Sequence, residues 1–191
     1  MRTEQAQATR DHLLEVATRL FAERGYDGTS IETVLKEAGV SRGALYHHFA
    51  SKESLFEAVY ELAQDRVARE IAEEARGASD ALGMIKAGAR AWLHRVRDPV
   101  VRQITLIDAP AVLGWQRWRE IDEKHFLGII RTALSGAAGD AIPTERLDLL
   151  AHVYFGMLVE MAMVIARSDQ SDAAIEEAAK LVDDFLTRML S

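Results

Sequence analysis

TSIETVLKEAGVSRGALYHHFASK, residues 29–52, decides the fold, because it writes two short helices with their punctuation intact. Thr29 and Glu32 have the spacing of a capping box, in which the hydroxyl takes an orphan amide and the carboxylate reaches back to the cap; a helix is predicted from Thr29. Ile31, Val34, Leu35 and Ala38 recur at helical spacing, and Gly39 then supplies the residue most easily placed in the left-handed conformation that ends a helix. Ser41 is the expected cap of a second helix, with Val40 before it and Leu45 inside it at the two positions of a hydrophobic staple. That helix, RGALYHHF, is only about two turns long, and Gly43 and Ala44 leave its backbone open to close approach by another surface.

Between Ala38 and Lys52 there is no acidic residue, while Arg42, Tyr46, His47, His48 and Lys52 can all donate to an anion. Two helices joined by a short Gly-containing turn are the arrangement of a helix-turn-helix, whose second helix enters the major groove. An ordinary helical hairpin with solvated Arg and Lys has the same spacing. The longer stretch GYDGTSIETVLKEAGVSRGALYHHFASKESLF, residues 25–56, resembles the N-terminal region of the TetR family of transcriptional regulators, matching GY, TS, AGVS, the LYxHF run and SKExLF in order. The motif match covers about residues 10–58; beyond it the likeness is one of helix order and length.

The resemblance implies an all-α protein of about nine helices, with a three-helix DNA-binding module over residues 1–58 and a helical ligand-binding and dimerisation domain over 59–191. It places Ser30, Ser41, Arg42, Gly43, Ala44, Tyr46, His47, His48 and Lys52 at positions that contact DNA. Arg42, at the start of the second helix, suits a guanine edge; Tyr46, His47, His48 and Lys52 suit phosphates, which fix register and carry no sequence information. Two positions depart from the family pattern. Leu35 stands where a small residue is usual, and Glu32 where many members are basic or neutral.

Composition narrows the alternatives. The 191 residues are 49% hydrophobic, enough for a buried core, and carry a net charge of −7, so DNA affinity must come from a local basic face. The absence of cysteine excludes disulfides, thiolate metal sites and cysteine catalysis, and fits a reducing, cytoplasmic location. The charged start MRTEQAQATRDHLLEVATRL is no secretory signal, and the apolar run 153–166, interrupted by Glu160, is shorter than the about 20 residues a bilayer requires, so no membrane association is expected.

The remaining segments read as helices with short breaks. Leu13, Val16, Ala17, Leu20 and Phe21 share a face that forms a floor under the helix-turn-helix, with Gly25 as stop; Tyr26 packs there or offers its phenol to a phosphate. Ser51 caps a helix carrying Leu55, Phe56, Val59, Leu62 and Val67, which dissolves in the charged run REIAEEARG. Such a helix, shared by two lobes, can carry rigid-body motion between them. A stripe from Leu82 to Val96 follows; Pro110 and Gly114 interrupt the next segment, and a helix from Trp115 ends at SGAAGD. LDLLAHVYFGMLVEMAMVIA is apolar on nearly every face and requires burial on more than one side. Gly156 with Ala162 permits a close helix crossing, and the final helix shows the stripe Ile175, Ala178, Val182, Phe185 and Met189, so the last two helices are expected to pair with a second copy.

Trp92, Ile104, Trp115, Trp118, Phe126, Met157 and Met161 have the composition of a small-molecule pocket, with Asp108, His125, Tyr154 and Glu160 as its polar candidates; each also serves as ordinary core or solvated surface. Glu160 faces an edge, pairs with a cation, or recognises one. His94, His125 and Asp108 show no recognised metal-ligand spacing, and no catalytic motif or cofactor fingerprint is present. The sequence thus reads as a homodimeric repressor of an inverted-repeat operator on double-stranded DNA, without enzymatic activity or cofactor, released by an apolar or aromatic effector. An all-helical enzyme or ligand carrier is the alternative, and it needs a catalytic group the sequence does not display.

Overall fold

The computed structural model describes residues 2–139, 142–167 and 172–190, and every element among these described residues is helical. Nine α-helices and one π-helical segment occur among the described residues. They form two compact units that do not follow chain order: residues 1–63 with 99–118, and residues 64–98 with 119–191.

In the first unit, α1 (Arg2–Arg24) buries Leu13, Ala17, Leu20 and Phe21 completely and packs on α2 (Ile31–Ala38), on α3 (Arg42–His48) and on a π-helical segment, Val100–Asp108. Gly25, at φ 69°, turns the chain out of α1. The cap of α2 is Ser30, whose Oγ accepts from Thr33 N at 3.1 Å. Thr29 is fully buried instead and donates its hydroxyl back to the carbonyls of Gly25 and Leu20, at 2.9 and 3.2 Å, closing the end of α1. The expected Thr29–Glu32 capping box therefore does not form; of two adjacent hydroxyls, the buried one serves the orphan carbonyls behind it and the exposed one the amides ahead.

The first unit also holds the start of α4 (Lys52–Ala75), capped reciprocally: Ser51 Oγ accepts from Ser54 N at 3.0 Å and Ser54 Oγ accepts from Ser51 N at 2.9 Å. Its π-helical segment follows Pro99 and closes with Ala109 N donating to Ile104 O, an i to i+5 bond. A short α6 (Ala109–Val112) and the start of α7 (Gly114–Ala138) complete it.

In the second unit, α4 continues through REIAEEA to Ala75 where a dissolving end was expected. Ion pairs Arg69–Asp65 and Arg66–Glu70, both at 2.8 Å and four residues apart, serve its outer face, while Ala68, Ile71 and Ala75 turn inward. Asp80 caps α5 (Ala81–Arg95) by accepting from Gly83 N at 2.7 Å. Helix α7 runs on to Ala138, through most of the stretch expected to be a loop; Asp140 of that stretch lies outside the described residues. Helices α8 (Thr144–Arg167) and α9 (Asp172–Met189) both pack on α5 and on each other. At 24 residues α8 is, among the described residues, the one helix long and apolar enough to span a bilayer, although half of its most apolar stretch is buried within the unit.

Candidate DNA interface and effector cavity

Gly39 stands at φ 65°, in the left-handed region, with no atom within 4 Å of where a Cβ would sit, and it sets the turn between α2 and α3. Ser41 caps α3 by accepting from Ala44 N at 3.2 Å. Leu45, fully buried, anchors α3, and the opposite side remains uncovered: Arg42, Gly43, Tyr46 and His47 are exposed, with Ala44 and His48 half-buried. A Cβ at Gly43 would meet nothing nearer than Ser41 Oγ at 4.0 Å, so this stretch of backbone is open to a surface brought against it. Ser30 and Ser41, both exposed, stand at the starts of α2 and α3.

Arg42 lies 5.9 Å from the Tyr46 ring centroid and pairs with Glu32 across from α2. The acid-free run in the sequence is thus not an acid-free surface, because the fold carries a carboxylate in from the neighbouring helix. The carboxyl of Glu32 lies below its ordinary range through its own backbone amide first, which outweighs the opposing effect of burial, with Arg42 and Ser30 adding to it in the same direction. The Lys52 ammonium sits 3.9 Å above the Tyr26 ring. Tyr26 is packed with Phe21 and Phe56, at centroid separations of 5.9 and 5.1 Å, and burial, with Glu53 and Asp27 nearby, pushes its phenol up. Asp108 accepts from Tyr26 N at 2.8 Å and from Gln103 Nε2 at 3.0 Å, tying the turn after α1 to the π-helical segment.

Of the eleven residues with pocket-like chemistry, Ile104, Asp108, Trp115 and Trp118 belong to the first unit. There Ile104 and Trp118 are core, Asp108 is the tie just described, and Trp115 is 68% exposed beside Trp118. The other seven belong to the second unit, which encloses a cavity of about 340 Å³. Only Trp92, Phe126 and Tyr154 of the seven line it. Glu160 is exposed; His125, Met157 and Met161 are half-buried and not part of its wall. Helical spacing brought out one lining residue each on α5, α7 and α8, but it did not indicate α4, whose residues also line the cavity, nor the rotation of each helix about its axis.

Four helices make the cavity: Ala68, Ile71 and Ala75 from α4; Met84, Ile85 and Ala89 with Trp92 from α5; Ile129 and Ala133 with Phe126 from α7; Leu158 and Val159 with Tyr154 from α8. Its polar groups are largely spent on the protein itself. Trp92 Nε1 donates to Leu158 O at 3.1 Å and Tyr154 Oη to Ile85 O at 3.2 Å, leaving the rings as apolar surface; burial raises the Tyr154 phenol far above its ordinary value. At one end Gln64 and Asp122, 1% and 3% exposed, face each other, with Gln64 Nε2 donating to Asp122 Oδ1. Sequence reading missed both. The available signal was a polar residue inside an apolar stripe, Gln64 between Tyr60 and Val67 and Asp122 between Trp118 and Phe126.

A short capped helix, set by a glycine turn and presenting arginine, tyrosine and histidine beside a bared backbone, defines a helix-turn-helix transcriptional regulator. Residues 13–59 match the description of bacterial regulatory proteins of the tetR family, and residues 83–189, more than half of the chain, that of the tetracyclin repressor-like C-terminal domain. The chain belongs to the TetR family. It is 28% identical over 183 residues to the HTH-type transcriptional repressor AcnR of Corynebacterium efficiens, covering 94% of this chain and 93% of AcnR. It is 39% identical over 84 residues to the HTH-type transcriptional regulator AcrR of Shigella flexneri, a match spanning 44% of this chain and 39% of AcrR's length. A TetR-family transcriptional regulator from Pectobacterium atrosepticum has a similar structure, with a TM-score of 0.80 at 28% identity over 97% of this chain and 95% of that one.

Proposed function

We propose that the protein is a homodimeric repressor: α3 of each protomer enters the major groove of an inverted-repeat operator, and a small apolar effector in the cavity of the second unit releases it. The observation that carries this reading is the exposed face of α3, with Arg42 at its first turn and open backbone at Gly43. In it Arg42 reads a guanine edge, and Ser30, Ser41, Gly43, Ala44, Tyr46, His47, His48 and Lys52 supply backbone contacts that set register. Residues 1–58 form the DNA-binding part, and the protein acts in the cytoplasm, where its DNA is.

Pairing through the last two helices is supported by the outer surface of α8. Leu149, Val153 and Val164 are 69%, 57% and 57% exposed, and Leu181 of α9 is 53% exposed. Gly156 lies in the same row with no atom within 4 Å of where a Cβ would stand, whereas Ala162 is fully buried on the inner side; the close crossing then falls at Gly156 alone. A partner helix covers such a row in a four-helix interface. Effector binding favours release only by its differential affinity for the two states, and the C-terminal half of α4, which lines the cavity, is the element through which that preference acts.

The test is binding of the purified protein to its own upstream DNA across a salt series. The wild type binds specifically with a steep loss as salt rises, and Arg42→Ala loses about 1–3 kcal/mol of that specific binding while retaining the non-specific part. Equal binding of both proteins to specific and unrelated DNA would rule the reading out.

A further inference from the structure

Two kinds of wall enclose the cavity. On α4 the lining residues Ala68, Ala72 and Ala75 recur at helical spacing, so one face of that helix presents a row of single methyl groups with Ile71 beside it. Helix α5 comes close to this row at Gly88, where a Cβ would stand 3.4 Å from Ile71 Cγ2. The other wall is aromatic. Trp92 of α5, Phe126 of α7 and Phe155 of α8 follow one another at centroid separations of 6.1 and 6.3 Å, and the two phenylalanine rings are inclined by only 26°.

These rings are held in place. Trp92 is fixed through Nε1 on Leu158 O and Tyr154 through Oη on Ile85 O, while the Arg119 guanidinium lies 4.5 Å from the centroid of Phe155. Sites that accept many shapes are built from methionine, which repacks; here methionine enters the wall at Met84, which is 41% exposed. Fixed rings facing an alanine row select by shape. A flat ring system can lay a face against the aromatic wall, gaining offset stacking that a hydrocarbon chain of equal hydrophobicity does not supply, and it surrenders no torsional freedom on entry. A globular cage meets such a wall over a small area only.

Resting on the reading of this cavity as the effector site, we propose that it selects planar, fused-ring aromatic molecules over flexible chains and globular cages of equal hydrophobicity, the ligand lying between the alanine row of α4 and the rings of α5, α7 and α8. Phe126 and Phe155 are then the specificity-determining residues for the effector, and the alanines of α4 supply the space it fills.

The experiment is calorimetric titration of the intact protein with 2-naphthalenemethanol, heptan-1-ol and 1-adamantanemethanol, three neutral alcohols of comparable hydrophobicity that are flat, flexible and globular. The wild type binds 2-naphthalenemethanol at least about tenfold more tightly than either of the others. Phe126→Leu and Phe155→Leu, which keep an apolar side chain and remove the ring, each reduce that ratio toward one while leaving heptan-1-ol binding in place. Should one variant fail to fold, the other and the wild-type ranking decide. Equal binding of the three alcohols, or a ranking led by the chain or the cage, would overturn the planar class while the cavity remains an effector site. An unchanged ratio in both folded variants would overturn the assignment of specificity to the two rings. Failure of all three alcohols to bind would overturn the planar class and the effector cavity together, and operator binding by the same preparation would leave the DNA reading standing.

Discussion

Arg42 must leave Glu32 to reach a base. The pair is exposed on both sides, so it is worth little in water, yet it competes with DNA for the side chain proposed to read sequence. Removing the competitor also removes a negative charge from a surface that meets phosphates. Glu32→Gln is therefore expected to tighten operator binding by up to about tenfold and to raise binding to unrelated DNA as well, read by titration of both duplexes. Unchanged affinity would show that Glu32 and DNA do not share Arg42. A second ion pair at this scale has a pH signature. Arg19 Nη2 contacts Glu37 Oε2 at 2.5 Å, joining α1 to α2, and this hydrogen bond first, then the charges of Arg19, Arg24 and Lys36, hold the Glu37 carboxyl below its ordinary 4.5. A depressed folded pKa contributes stability that is present above 4.5 and lost as pH falls through the folded value. The wild type is thus expected to melt above Glu37→Gln near neutral pH, with the difference shrinking on acidification below 4.5; a constant difference would mean that Glu37 contributes by packing.

At the scale of elements, punctuation was legible and rotation was not. Gly39, Ser41 and Ser51 act where the sequence placed them, because a left-handed glycine and a hydroxyl before a helix are local requirements that no tertiary contact has to supply. Thr29 and Ser30 exchanged roles because burial, which is not local, decided which hydroxyl faced inward. The same limit explains the pocket. Trp92, Phe126 and Tyr154 line the cavity while Met157 and Met161 on the same helix as Tyr154 do not, since an all-apolar helix gives no indication of which side faces a void. The charged run at the end of α4 concealed Ile71 and Ala75 for the converse reason: its apolar residues are outnumbered by an ion-paired outer face. On α8 the outer row supports a prediction. Val153→Arg places a charge in the proposed crossing and is expected to shift the protein to monomer with its melting cooperativity retained, read by sedimentation velocity. A dimer that persists would move the interface elsewhere.

For the whole molecule, chain order proved a poor guide to the compact units. Residues 99–118 join the N-terminal residues 1–63, and the ties responsible, Asp108 to the Tyr26 amide and Arg117 to Glu57 at 2.9 Å, link positions far apart in sequence that carry no motif. The family and its helical architecture were readable from about thirty residues, because a helix-turn-helix needs its glycine, its caps and its anchoring leucine at fixed separations. The polar end of the cavity was not, because it rests on Gln64 meeting Asp122 across the second unit. The central claim is that two copies of α3 read DNA together, and selection of binding sites by the purified protein from random-sequence duplexes tests it most directly. The account predicts an enriched inverted repeat whose half-sites lie about 34–36 Å apart, one helical turn, or at a somewhat larger separation. Enrichment of no sequence at all would contradict α3 as a reader of DNA, and enrichment of a lone, unrepeated half-site would contradict the dimer.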